Sequence, residues 1–144
     1  MKILSSKNVY EAALDRLRWL YDEFPTVVIS FSGGKDSTVL YNLAMQVARE
    51  KNRLPQPVLF VDQEGEWTFT IDEVKKVMYH PDVKPYWLQV PLEMDNAAST
   101  LTPHLMAWEI GKDDEWLREK DPISIKENVY GAKSWADNMF FAVL

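Results

Sequence analysis

A short β-branched run, Thr26-Val27-Val28-Ile29-Ser30, passes without a break into Phe31-Ser32-Gly33-Gly34-Lys35-Asp36-Ser37-Thr38. An apolar run of this kind suits a parallel strand buried on both faces. Beyond the glycines, Val39, Leu40, Leu43, Ala44, Val47 and Ala48 return at helical spacing, and Arg49 to Arg53 sets three cations near the negative end of that helix. A strand, a glycine-bearing loop and a helix in this order point to an α/β chain with a parallel sheet.

The flanking sequence extends the pattern. Val9, Ala12, Ala13, Leu17, Leu20, Tyr21 and Phe24 predict a helix with one buried face, started by an Asn8–Glu11 capping box and stopped by Pro25. After Pro55 and Pro57, Val58-Leu59-Phe60-Val61 predicts a second strand that ends in the acidic stretch Asp62-Gln63-Glu64-Gly65-Glu66. Thr70 and Glu73 have capping-box spacing ahead of Val74, Val77 and Met78, Pro81 ends that helix, and Tyr86 to Val90 predicts a third strand. The expected architecture is one domain over residues 1–144, an open, mostly parallel twisted sheet with helices on both faces and right-handed crossovers. Past Pro91 the pattern fades, and no element is assigned.

In open parallel sheets ligands bind beyond the carboxyl ends of the strands, and the loops at 32–37 and 62–66 both fall at that edge. Gly33 and Gly34 permit positive φ and close approach, so successive N–H groups can converge on an anion at the positive end of the following helix. Lys35 adds a charge, and Ser32, Ser37 and Thr38 add hydroxyl donors. Asp36 either caps the helix or, with Asp62 or Glu64, holds a hydrated Mg²⁺ against phosphates. The Walker A pattern would need a glycine five positions before Gly34, where Ile29 stands, and G-x-G-x-x-G is absent too. For Asp62, Glu64 and Glu66 a solvated acidic turn is the competing reading.

Residues Ile29 to Thr38 resemble the PP-loop of the ATP pyrophosphatase and phosphoadenosine phosphosulfate (PAPS) reductase superfamily. Leu59 to Glu64 with Trp67 and Thr70 resembles the strand end that contacts adenosine in PAPS reductases. Pro91-Leu92 through Asn96-Ala97-Ala98-Ser99, with Trp108, Trp116, Arg118 and Pro122 behind, looks like a subgroup of PAPS-reductase-like proteins of bacteria and their phages. The resemblance implies a Rossmann-like, adenine nucleotide alpha hydrolase-like fold that binds ATP or PAPS. The nucleotide-binding set it implies is Ser30, Phe31, Ser32, Gly33, Gly34, Lys35, Asp36, Ser37, Thr38, Val61 and Asp62, with Lys35 catalytic in nucleotidyl or sulfonyl transfer. Either transfer builds charge on oxygens that preorganised amides stabilise. PAPS reductases use a cysteine near the C-terminus as nucleophile, and DNA-phosphorothioation relatives bind an iron–sulfur cluster through cysteines; this chain contains no cysteine, so it supplies neither. It is also short beside the longer members, as a truncated form would be.

Net charge is −6 and the cations are scattered, so direct nucleic-acid binding is not expected. No apolar run reaches membrane-spanning length, and a cytoplasmic location is expected. The apolar end, Met139 to Leu144, suggests a buried element, a homodimer contact or a partner-protein contact. Trp19, Trp87 and Trp135 read as packing residues, and Arg118 as a surface helix residue near Glu115 and Glu119; His80 and His104 receive no role. The alternative to an enzyme or half-enzyme is a non-catalytic nucleotide-binding regulator that works through a partner protein or a DNA-associated complex. An inherited fold with no ligand ranks below both.

Overall fold

A computed structural model describes residues 6–127. Helix α1 (Val9–Glu23) opens with the expected capping box: Glu11 N–H donates to Asn8 Oδ1 at 2.9 Å, and Asn8 N–H donates to Glu11 Oε2 at 3.2 Å. It buries Leu14, Leu17 and Tyr21, each worth about 2 kcal/mol in surface removed from water. Val9 and Phe24, counted in the apolar pattern, are exposed at the two ends.

The parallel sheet runs β1 (Ile29–Ser30), β2 (Gln56–Val61), β3 (Val83–Leu88), with Ile29 opposite Val58 and Gln56 opposite Val83. Helices α2 (Lys35–Glu50) and α3 (Thr68–Met78) make the two crossovers. β1 is shorter than the five-residue run suggested, while β3 starts earlier and stops at Leu88. Gln89 N–H and Ile125 N–H then bond Ile125 O (3.0 Å) and Trp87 O (2.7 Å), so residue 125 extends the sheet beyond β3.

The two faces of β2 separate two clusters. Val58 and Phe60 pack with Leu17 and Tyr21 of α1, Ala44, Met45 and Val47 of α2, and Val74 and Met78 of α3. Leu59 and Val61 face Leu88, Leu92, Ala107 and Trp108. The α/β class and the parallel strands are as expected. The second face differs from the expectation of helices: among the described residues it is covered by the antiparallel hairpin of β4 (Leu92–Asp95) and β5 (His104–Ala107) and by the segment after it. Alternation along these four-residue strands is too short to read as a period.

Other local expectations shift. Val39 and Leu40 are exposed, because α2 turns Tyr41, Ala44, Met45, Val47 and Ala48 inward. α3 begins two residues before Thr70, with Trp67 as an N-cap that makes no side-chain bond, and Glu73 pairs with Lys76 instead of closing a capping box. The cations after α2 have separate partners: Arg49 pairs with Asp82 at 3.0 Å and Lys51 with Asp22 at 2.6 Å, while Arg53 donates to Tyr21 O at 3.0 Å.

Candidate functional site

The loop between β1 and α2 is shaped by one glycine in particular. Gly33 has φ +72°, and a Cβ there would stand 2.7 Å from Thr70 Cγ2, 3.1 Å from Thr70 O and 3.5 Å from Val74 Cγ2. Both the left-handed backbone and the contact demand glycine. Gly34 differs from the expectation: it is the N-cap of α2 at φ −82°, ψ 167°, and an added Cβ would meet only Ser32 Oγ at 3.5 Å.

Hydroxyls tie the loop to itself. Ser32 N–H and Oγ donate to Ser37 Oγ at 3.3 and 3.0 Å, and Ser37 Oγ and Thr38 Oγ1 donate to Gly34 O at 2.9 and 2.8 Å. The Ser37 and Thr38 protons therefore hold the loop's curve. Thr38 N–H makes the first turn's bond to Gly34 O, while Gly34, Lys35, Asp36 and Ser37 N–H have no acceptor among the described residues, as the opening turn of a helix leaves them. The Lys35 and Asp36 side chains are exposed and have no partner among the described residues. Asp36 lies inside the helix and does not cap it.

Other expected residues lie elsewhere. Ser30 is exposed at the end of β1. The Phe31 ring is buried edge-on to Tyr41, with centroids 5.8 Å apart, so it fills the core. Val61 is half-buried against the cluster on the second face.

Asp62 is the largest correction. It is 1% exposed, not part of a solvated turn. Oδ2 accepts Trp87 Nε1–H and Gln89 Nε2–H, both at 2.9 Å; Oδ1 accepts Glu64 N–H at 2.9 Å and the Arg118 guanidinium. Glu64, in the left-handed region at φ 65°, turns its carboxylate onto Trp108 N–H (2.6 Å) and Leu117 N–H (3.1 Å). Trp108 Nε1–H returns to Asp62 O at 2.8 Å, and Arg118 also donates to Glu64 O. The acidic turn is thus an internal anchor that fastens residues 108–118 over the end of β2. The Asp62 and Glu64 carboxylates are satisfied where they sit, as buried charge requires, while Arg118 Nε has no hydrogen-bond partner among the described residues.

Asp36, Asp62 and Glu64 are accordingly not gathered around one point, and no group of three His, Cys, Asp or Glu among the described residues could hold a metal. Arg118 is not on a surface helix: it is half-buried, 5.2 Å from the centroid of the Trp108 ring. Its pairing with Asp62 spans 56 residues, which no local spacing signals. Glu66 is half-buried; burial first, then the Asp62 carboxylate, holds its pKa above the ordinary value. Burial lowers the Lys120 pKa, its ammonium lying 4.3 Å over the Trp116 ring. Trp87 is buried as expected and Trp19 is exposed, while Trp135 and Met139 to Leu144 lie outside the described residues. No helix among the described residues is long and apolar enough to cross a membrane.

Residues 26–122 match the family model of the phosphoadenosine phosphosulfate reductase domain. The chain is 36% identical over 121 residues to the uncharacterized protein YbdN of Escherichia coli (strain K12), covering 82% of this chain and 29% of that protein. It is 45% identical over 60 residues to sulfate adenylyltransferase subunit 2 of Mycobacterium tuberculosis (strain ATCC 25618 / H37Rv), covering 41% of this chain and 19% of that one. The same figures hold for the Mycobacterium bovis (strain BCG / Pasteur 1173P2) protein. The chain therefore spans less than a third of the length of these relatives. No solved structure matches it. With the family model covering two thirds of its residues and a glycine loop between the first strand and its helix, the chain belongs to the phosphoadenosine phosphosulfate reductase domain family.

Proposed function

We propose that this domain binds an adenine nucleotide, ATP or PAPS, with its phosphates on the amides of Gly34 to Ser37 and on Lys35, and that it promotes nucleotidyl or sulfonyl transfer. The supporting observation is the left-handed Gly33 turn, which leaves those four N–H groups without acceptors at the positive end of α2. The exposed ammonium of Lys35, with no partner among the described residues, stands in the same turn. Ser32 and the strand-end residues Ser30 and Val61 border the reading; Phe31, Ser37, Thr38 and Asp62 support it by holding the frame.

With ATP, an acceptor's nucleophile bonds to the α-phosphorus, the α–β anhydride bond breaks and pyrophosphate leaves. With PAPS, the nucleophile bonds to sulfur, the sulfur–oxygen bond to the nucleotide breaks and adenosine bisphosphate leaves. In both cases the acceptor's proton passes to solvent. The nucleophile belongs to the acceptor or to a partner, since the chain has no cysteine. Amides fixed before reaction stabilise the growing negative charge without reorganising. A Mg²⁺ would arrive on the nucleotide's phosphates, with Asp36, of the three carboxylates expected, the one that has no partner among the described residues.

A second reading, a non-catalytic nucleotide-binding regulator, is favoured by the inward engagement of Asp62 and Glu64, which leaves the turn after β2 with neither as a free acid or base. Calorimetric titration with ATP, PAPS and AMP plus Mg²⁺ tests both, and no binding by folded protein contradicts both. Turnover that Lys35→Ala abolishes supports the enzyme; binding without turnover in the wild type supports the regulator.

A further inference from the structure

The proposed phosphate loop is not free-standing. Its curve at Gly33 rests on α3, where Thr70 Cγ2 and Val74 Cγ2, one helical turn apart, stand 2.7 and 3.5 Å from the place a Cβ would take. Thr70 is in the first turn of α3, its hydroxyl makes no hydrogen bond among the described residues, and its contact with the loop is through the methyl group and the carbonyl oxygen. Hydroxyl bonds within residues 32–38 fix the loop's far side on Gly34 O, but none of them reaches Gly33. On that side the shape of the loop depends on what it leans against.

We infer that Thr70 is a positioning residue for the phosphate loop: its methyl, backed by Val74, is the surface on which the left-handed turn at Gly33 is moulded. It thereby sets the phosphate part of nucleotide affinity; with its methyl and carbonyl turned to Gly33, Thr70 acts on the loop and not in the adenosine contact that the resemblance implies for its segment. The inference rests on the nucleotide reading above. The hydroxyl is dispensable in this role and the branched methyl is not. Valine, of the same shape, preserves the support. Serine keeps the hydroxyl, deletes the methyl, and leaves a gap into which Gly33 relaxes, so the amides after it drift from their common focus. Displacements well under 1 Å matter when several donors must meet one group of oxygens.

The test is calorimetric titration of the full chain with ATP and, separately, with adenosine, for the wild type, Thr70→Ser and Thr70→Val, with thermal unfolding measured for each. The expected result is an ATP affinity about tenfold weaker in Thr70→Ser, within about twofold of wild type in Thr70→Val, where the deleted hydroxyl has no partner among the described residues, and equal adenosine affinities in all three. Equal ATP binding by Thr70→Ser and wild type overturns the inference and leaves the nucleotide reading standing. Equal proportional losses for ATP and adenosine also overturn it, because they mark a general loosening of the domain. Should Thr70→Ser fail to fold, Thr70→Val decides alone, and weakened ATP binding there overturns the role of the methyl. A wild type that binds neither ligand removes the nucleotide reading itself.

Discussion

Asp62 accepts the indole N–H of Trp87 at 2.9 Å, across 25 residues of sequence, at a position 1% exposed. Arg118, Gln89 and the amide of Glu64 share the same carboxylate. Removing it strands a half-buried guanidinium and three further donors at once. Asp62→Ala is expected to lower the unfolding free energy by about 3 kcal/mol in urea titration. A change below about 0.5 kcal/mol, the range of ordinary surface substitutions, would contradict the anchoring role.

Gly33 and Gly34 are neighbours with different duties, so the same substitution separates them. Gly33→Ala meets Thr70 and a left-handed backbone together, and is expected to cost about 2 kcal/mol and to abolish ATP binding. Gly34→Ala meets only Ser32 Oγ in ordinary contact and is expected to fold with near wild-type stability. Thermal melts and calorimetry on the pair check this; equal destabilisation at both positions would contradict the backbone assignment.

How far the sequence carried these conclusions depends on the range of each contact. The Asn8–Glu11 box and β2 rest on residues a few positions apart and were legible from spacing alone. So was the junction of strand, glycine loop and helix. The hairpin of β4 and β5 was not, since four-residue strands of mixed polarity leave no period, and neither was Arg118, whose meaning lies in Asp62 and Trp108. For Asp62 and Glu64 a nucleotide or Mg²⁺ contact and a solvated turn are both open readings, because polarity carries no direction, and here both side chains point inward. The spacing of Thr70 and Glu73 suggests a capping box, whereas the packing of Thr70 on Gly33 crosses a helix–loop contact that no local pattern records.

Among the described residues Lys35 makes no ion pair or hydrogen bond. Lys35→Ala is expected to shift stability by less than about 0.5 kcal/mol, while ATP affinity falls about tenfold or more with the loss of a charge-assisted phosphate contact. Denaturant unfolding and calorimetry on one sample compare the two effects. Unchanged ATP affinity would contradict the lysine's role.

Glu66 offers a check through pH. Burial, followed by the Asp62 carboxylate, raises its pKa, with Arg118 opposing. A raised folded pKa means that the native state holds this proton more tightly than the unfolded chain does, so the stabilisation is full below the unfolded pKa and is lost as pH rises through the folded one. Glu66→Gln, which cannot ionise, is expected to be more stable than wild type at about pH 7, with the gap closing below about pH 4. A gap that does not change with pH would assign the effect to something other than ionisation.

The most direct test of the phosphate loop is the backbone amide spectrum during titration with ATP and then with PAPS. The largest shifts are expected at Gly34, Lys35, Asp36 and Ser37, with Gly33 following, and residues 104–107 of β5 unmoved. Saturable binding that leaves those four amides in place, or no binding by the folded chain, would contradict the account.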